Sequence, residues 1–119
     1  MSKILVVDDE PTHRSLLRMI FERAGHEVAD AGDGAAALRA VGTSPPDLVV
    51  TDMMMPVMGG AELIRRLRCD PATAAIPILA ASGDSHLADG ADAVIAKPYA
   101  WRDLVAAADA LLSEGRSLR

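Results

Sequence analysis

Asp8 and Asp9 stand side by side after a short apolar run. Asp52 closes a second run, Ser82 follows a third, and Lys97, with Pro98 behind it, follows a fourth. Three carboxylates brought together repel one another and cannot all stay ionised without compensation. A divalent cation resolves this. Hard oxygen donors and few side-chain contacts suit Mg²⁺, which keeps several waters and often bridges to phosphate. Lys97 adds a positive charge and Ser82 a hydroxyl donor, which together suit a dianion lying near a carboxylate. The simplest chemistry is a carboxylate acting as nucleophile toward a phosphoryl group, giving an aspartyl phosphate. Mg²⁺ and Lys97 would stabilise charge on the transferring oxygens.

The elements between these residues determine whether they can meet. Ile4 to Val7 is a short apolar run bounded by charge and predicts a buried strand. Pro11 suits a first helical turn. Leu16, Leu17, Ile20, Phe21 and Ala24 then share one helical face, with Gly25 as the stop. Glu27 to Asp30 predicts a second strand. Asp33-Gly34 marks a turn, with Asp33 as cap of a helix whose apolar side is Ala37, Leu38 and Val41. Leu48 to Val50 predicts a strand ending near Asp52, and Gly59-Gly60 opens a helix with Leu63, Ile64 and Leu67 inward. Ile76 to Ala81 and Ala93 to Ala96 predict two more strands. Trp101, Leu104, Val105, Ala108, Leu111 and Leu112 keep the spacing of a final helix, and a polar tail at 113–119 is expected to fray. Apolar strands alternating with amphipathic helices imply a doubly wound parallel sheet covered on both faces. In such sheets ligands bind at the carboxyl ends of the strands, and all five candidate residues fall there.

One unit breaks the rhythm. Only ten residues, SGDSHLADGA, separate the strand ending near Ala81 from the one starting near Asp92. A parallel crossover needs about a dozen or more. The fourth helix is therefore expected to be shortened or missing.

Composition excludes several classes. The 119 residues fit one domain, 1–119, with its core at 3–112. No apolar run approaches the ~18 residues of a membrane span, and MSKILVVDDE lacks the form of a secretory signal. The single cysteine, Cys69, cannot form an internal disulfide, which fits a cytoplasmic setting. The net charge of −5 argues against direct nucleic-acid binding. Neither GxxxxGK nor GxGxxG is present, against a nucleotide site. Arg65, Arg66 and Arg68 read as a solvated helix face. Met53, Met54, Met55 and Met58 read as packing, since no Cys or His clusters with them. His13, His26 and His86 read as scattered surface residues, His13 at most lining a partner-binding helix.

Taken one at a time, the candidates have plainer roles. An acid pair caps helices, Ser-Gly is a turn dipeptide, and a lone lysine is a surface charge. Their ordered combination is what resembles a known family, the receiver domains of two-component response regulators, chemotaxis regulators among them. ILVVDDE is similar to the family's first strand with its acidic pair, and DMMMPVMGG (52–60) to the phosphoacceptor strand end. ILAAS (78–82) is similar to the strand carrying the Ser/Thr switch, and GADAVIAKPY (90–99) to the last strand with its Lys-Pro. The resemblance implies a flavodoxin-like strand order 2-1-3-4-5 and a cis Lys97–Pro98 bond. It makes Asp52 the phosphoacceptor, Asp9 a direct Mg²⁺ ligand, Asp8 a ligand mainly through water, and the Met54 carbonyl a further ligand. Lys97 would pair with the phosphoryl group, and Ser82 would hydrogen-bond to it. The implied partners are a sensor histidine kinase or histidine phosphotransfer protein and a downstream protein target, for a monomer or weak dimer. The domain would catalyse its own phosphotransfer and dephosphorylation without being a conventional enzyme.

Two departures bear on output. The short fourth crossover removes most of a helix that usually helps transmit the signal. Val94 stands where the family often has an aromatic switch residue, and Tyr99 reads as a packing residue. Output is instead expected through reordering of the loop 83–90. A pseudo-receiver that is never phosphorylated is the alternative; the complete acid–lysine set disfavours it. A haloacid-dehalogenase-type phosphatase would need an Asp where Met54 stands. The start MSKILVVDDE and the short tail suggest a stand-alone or N-terminal receiver.

Overall fold

The computed structural model describes residues 2–55, 57–83 and 90–117. The chain runs β1 (Lys3–Val7), α1 (Pro11–Arg23), β2 (Glu27–Ala31), α2 (Gly34–Thr43), β3 (Leu48–Asp52), α3 (Gly60–Cys69), β4 (Ile78–Ser82), β5 (Ala93–Ala96) and α4 (Trp101–Ser117). The five strands form one sheet in the order β2-β1-β3-β4-β5, and every pairing is parallel.

Alternation along the strands divides the core in two. Leu5, Val7, Val49, Ile78 and Ala80 pack on one side with Ala37, Val41, Leu63, Ile64 and Leu67 of α2 and α3. Ile4, Val6, Leu48, Val50 and Leu79 pack on the other with Leu17 and Phe21 of α1 and Leu104, Ala108 and Leu111 of α4. Successive side chains of a strand point to opposite faces. A continuous apolar run thus fills both layers, which is why these strands read as unbroken Val/Ile/Leu stretches.

Local signals set the helix starts. Glu10 caps α1, its carboxylate accepting from the Thr12 and His13 amides at 3.1 and 2.8 Å. Asp33 caps α2 through the Ala36 amide at 2.8 Å, as its position predicts. Gly25, at φ +97°, ends α1 in the left-handed region.

Several boundaries differ from the sequence reading. α4 continues to Ser117 although the apolar spacing stops at Leu112. Once a helix is nucleated, each added residue needs only one further bond, so it outruns its apolar stripe. β4 starts at Ile78 rather than Ile76, because the Ile76 amide is spent on Thr73 in a turn and Pro77 has no N–H to give. β2 extends one residue, to Ala31.

Among the described residues no helix lies between β4 and β5. Asp84, His86 and Asp89, and with them most of the loop 83–90 proposed as the output element, fall outside the described residues. Where the chain re-enters at Gly90 it lies close on α3. A Cβ there would stand 2.9 Å from Ile64 Cγ2, and Gly90 has φ +90°. Arg68 of α3 fastens this corner. Its guanidinium donates to the carbonyls of Gly90 (3.0 Å), Ala74 (2.8 Å) and Ile76 (2.9 Å) and to Asp92 (2.5 Å). Asp92 also accepts from the Ile78 amide at 2.7 Å, tying the entry of β5 to the start of β4. Arg68 is therefore a structural clasp rather than part of a solvated face.

Candidate functional site

The sheet register brings the site together. Val7 pairs with Thr51, so Asp8 and Asp52 leave neighbouring strands at the same level. Asp52 is level with Ala81, and Ser82 with Ala96, one residue before Lys97. The Lys97 amide donates to the Ser82 carbonyl at 3.1 Å, locking these two strand ends together. The Lys97–Pro98 peptide is cis, as the resemblance implied.

Asp8, Asp9 and Asp52 each offer a carboxylate oxygen, and these oxygens all lie within 4.8 Å of one another. Asp8 is buried, Asp52 half-buried and Asp9 exposed. The Lys97 ammonium donates to Asp52 Oδ1 at 2.7 Å. The Met53 amide donates to the same oxygen at 2.8 Å. Three carboxylates and one ammonium leave a net negative site. An all-oxygen donor set of this kind fits a hard divalent ion such as Mg²⁺ better than a soft metal. Asp8, Asp9, Asp52, Ser82 and Lys97 therefore all gather at the strand carboxyl ends. Met54 follows in the loop after β3 with its side chain largely exposed. Ser82 is buried at the end of β4.

The second glycine of the Gly59-Gly60 pair has a steric reason. A Cβ on Gly60 would lie 2.6 Å from the Asp52 carbonyl oxygen and 2.7 Å from Met53 Sδ. Only glycine lets α3 begin this close beneath the end of β3.

The sequence and the fold are matched by known proteins. The family described as "Response regulator receiver domain" matches residues 4–109. The chain belongs to that family. It is 40% identical over 116 residues to the phosphate regulon transcriptional regulatory protein PhoB of Pseudomonas aeruginosa, covering 92% of this chain and 51% of that protein. It is 38% identical over 115 residues to the alkaline phosphatase synthesis transcriptional regulatory protein PhoP of Bacillus subtilis, covering 92% of this chain and 48% of that protein. The DNA-binding response regulator MtrA of Mycolicibacterium smegmatis is 37% identical over 111 residues, 87% of this chain and 47% of its own length. This receiver domain thus spans about half the length of the curated relatives it matches. Among solved structures, the receiver domain of a signal transduction histidine kinase from Syntrophus aciditrophicus superposes with a TM-score of 0.90 at 31% identity, covering 96% of this chain and 92% of that one. The chemotaxis response regulator CheY4 of Vibrio cholerae does so with a TM-score of 0.86 at 29% identity, covering 93% and 98%.

The relatives correct one expectation. Direct nucleic-acid contact was not expected, yet MtrA is named a DNA-binding response regulator. The charge of −5 belongs to a stretch that aligns with about half of each relative. It carries no information on the other half.

The geometry also corrects the reading of two side chains. His13 is not a scattered surface residue: its Nδ1 is hydrogen-bonded to Asp8 Oδ2. Tyr99 does more than pack, since its hydroxyl lies 3.2 Å from His13 Nε2. Burial, then the Asp8 and Asp52 carboxylates, push the Tyr99 phenol up to about 12. His13 lies in the first turn of α1 and Tyr99 in the loop after β5. No spacing signal in the sequence links them.

Proposed function

We propose that this receiver domain takes a phosphoryl group onto Asp52 from a phosphohistidine, carried by a sensor histidine kinase or a histidine phosphotransfer protein, and changes conformation to signal to a downstream protein. The observation that carries this reading is the Lys97 ammonium 2.7 Å from Asp52 within a cluster of three carboxylates. A carboxylate oxygen of Asp52 attacks phosphorus. The P–N bond to the donor imidazole breaks, and its electron pair returns to the ring nitrogen, which takes up a proton. The product is an acyl phosphate.

Asp8, Asp9, Asp52 and the Met54 carbonyl would hold Mg²⁺, which when bound supplies positive charge to the transferring oxygens. Lys97 leaves Asp52 Oδ1 for a phosphoryl oxygen and neutralises charge there. Ser82, at the end of the adjoining strand, donates its hydroxyl to another. Hydrolysis is the same substitution with water as nucleophile: the P–O bond to Asp52 breaks and the carboxylate is regenerated. The domain would catalyse both steps on itself, so it is a switch rather than a conventional enzyme, working in the cytoplasm as a monomer or weak dimer. The donor has a surface to approach. A groove lined by Leu16, Ile20 and Trp101 opens beside His13, Lys97 and Tyr99, at the edge of the acidic cluster. An apolar partner helix seated there would hold its histidine near Asp52.

Acetyl phosphate with Mg²⁺ tests the reading. The wild-type chain should gain one phosphoryl group by intact mass, and Asp52→Asn should gain none. A wild-type chain that takes up no phosphoryl group, as a pseudo-receiver would behave, overturns it.

A further inference from the structure

Asp8 is the most enclosed acid of the cluster, only 2% exposed. A carboxylate so placed needs donors on both oxygens. Oδ1 accepts from the Glu10 amide at 2.9 Å, and Oδ2 is bound by His13 Nδ1. His13 is itself held at two points. Its amide donates to the cap carboxylate of Glu10 at 2.8 Å, and its Nε2 meets the Tyr99 hydroxyl at 3.2 Å. The second contact fixes the plane of the ring, so that Nδ1 faces Asp8. A phenol whose pKa lies at about 12 stays protonated at neutral pH and can donate to Nε2. The Nδ1–H then donates to Asp8, and one tautomer satisfies every group in the row.

We infer that His13 is a positioning residue for the divalent ion: it holds the Asp8 carboxylate in the orientation that Mg²⁺ requires, and Tyr99 holds His13. The inference rests on the reading of the acidic cluster as a Mg²⁺ site. Partners of this second layer orient the ligands of a metal, and their loss typically weakens metal binding ~10–100-fold. The row also joins the metal site to the groove beside it, because His13 and Tyr99 line that groove. A molecule seated there would touch the residues that orient Asp8.

Calorimetric titration of Mg²⁺ into the full chain, with no phosphodonor present, separates this role from simple space-filling. His13→Ala should weaken the Mg²⁺ Kd about tenfold. Tyr99→Phe, which removes one hydroxyl, should weaken it severalfold. His13→Asn keeps an N–H near the position of Nδ1 and should recover most of the affinity. Thermal melts in EDTA report on the fold of each variant apart from the ion. A Kd in His13→Ala equal to or tighter than wild type overturns the inference. If His13→Ala does not fold, Tyr99→Phe decides, and an unchanged Kd there overturns it. A wild-type chain that gives no Mg²⁺ binding removes the Mg²⁺ reading itself and this inference with it. Wild-type binding with unchanged variants removes only the inference.

Discussion

Replacing Arg68 with Met keeps the aliphatic stem and removes the guanidinium that fastens the corner between α3, β4 and β5. Three bonds to backbone carbonyls are lost, those to Gly90, Ala74 and Ile76 at 2.8–3.0 Å. At about 1 kcal/mol net for each, their loss costs about 3 kcal/mol. The ion pair with Asp92 adds less than about 1 kcal/mol, because Asp92 is 42% exposed and solvent screens it. The total of about 3–4 kcal/mol is a large share of the roughly 5–15 kcal/mol by which such a domain is stable. It corresponds to a fall in Tm of about 10–15 °C. Urea unfolding followed by circular dichroism reads the change, with the m-value checking that the transition stays two-state. Arg68→Lys keeps the charge but not the fork of donors, and should recover less than half of the loss. A Tm for Arg68→Met within about 2 °C of wild type, or about half a kcal/mol, would refute the view that this one side chain secures the entry to β5.

Other outcomes follow from the site. The Tyr99 phenol should ionise at about 12, well above the ordinary value near 10, when followed by phenolate absorbance at high pH; this chain has a single tyrosine, so the signal is unambiguous. Because the native state holds that proton more tightly than the unfolded chain, stability should fall as pH rises from about 10 to about 12. Gly60→Ala places a methyl against the Asp52 carbonyl and should destabilise by about 1–3 kcal/mol despite the better helix propensity of alanine. Its urea midpoint measures this. Lys97→Ala should leave the melt close to wild type, since Lys97 is an exposed residue. It should slow phosphoryl uptake from acetyl phosphate at least ~100-fold by removing charge stabilisation.

Much of this molecule is legible in the sequence because its signals are local. Asp33 caps α2 with a carboxylate three residues from the amide it accepts, a relation any reader of the chain can propose. The strand Ala93–Ala96 and the inward Leu63, Ile64 and Leu67 follow from apolar runs and spacing alone. The acids and Lys97 could be placed at one sheet edge because each closes a strand. Other features depend on a meeting in space that no period encodes. His13 and Tyr99 are far apart in the chain, and each is unremarkable by itself. Arg68 reads as a surface charge, and Asp92 only marks the start of a strand, until α3 and β5 are laid side by side. The shortened crossover was visible as a length too small for a helix. The residues that compensate for it were not.

The central claim is that Asp52, and no other side chain, receives the phosphoryl group. The most direct measurement is borohydride reduction of the protein after treatment with acetyl phosphate and Mg²⁺, followed by peptide mass spectrometry, since an acyl phosphate is reduced to the alcohol and an ordinary carboxylate is not. Homoserine is expected at position 52 alone. Reduction at Asp8 or Asp9, or a stable phosphoryl group on His13 or Ser82 with Asp52 intact, would contradict it.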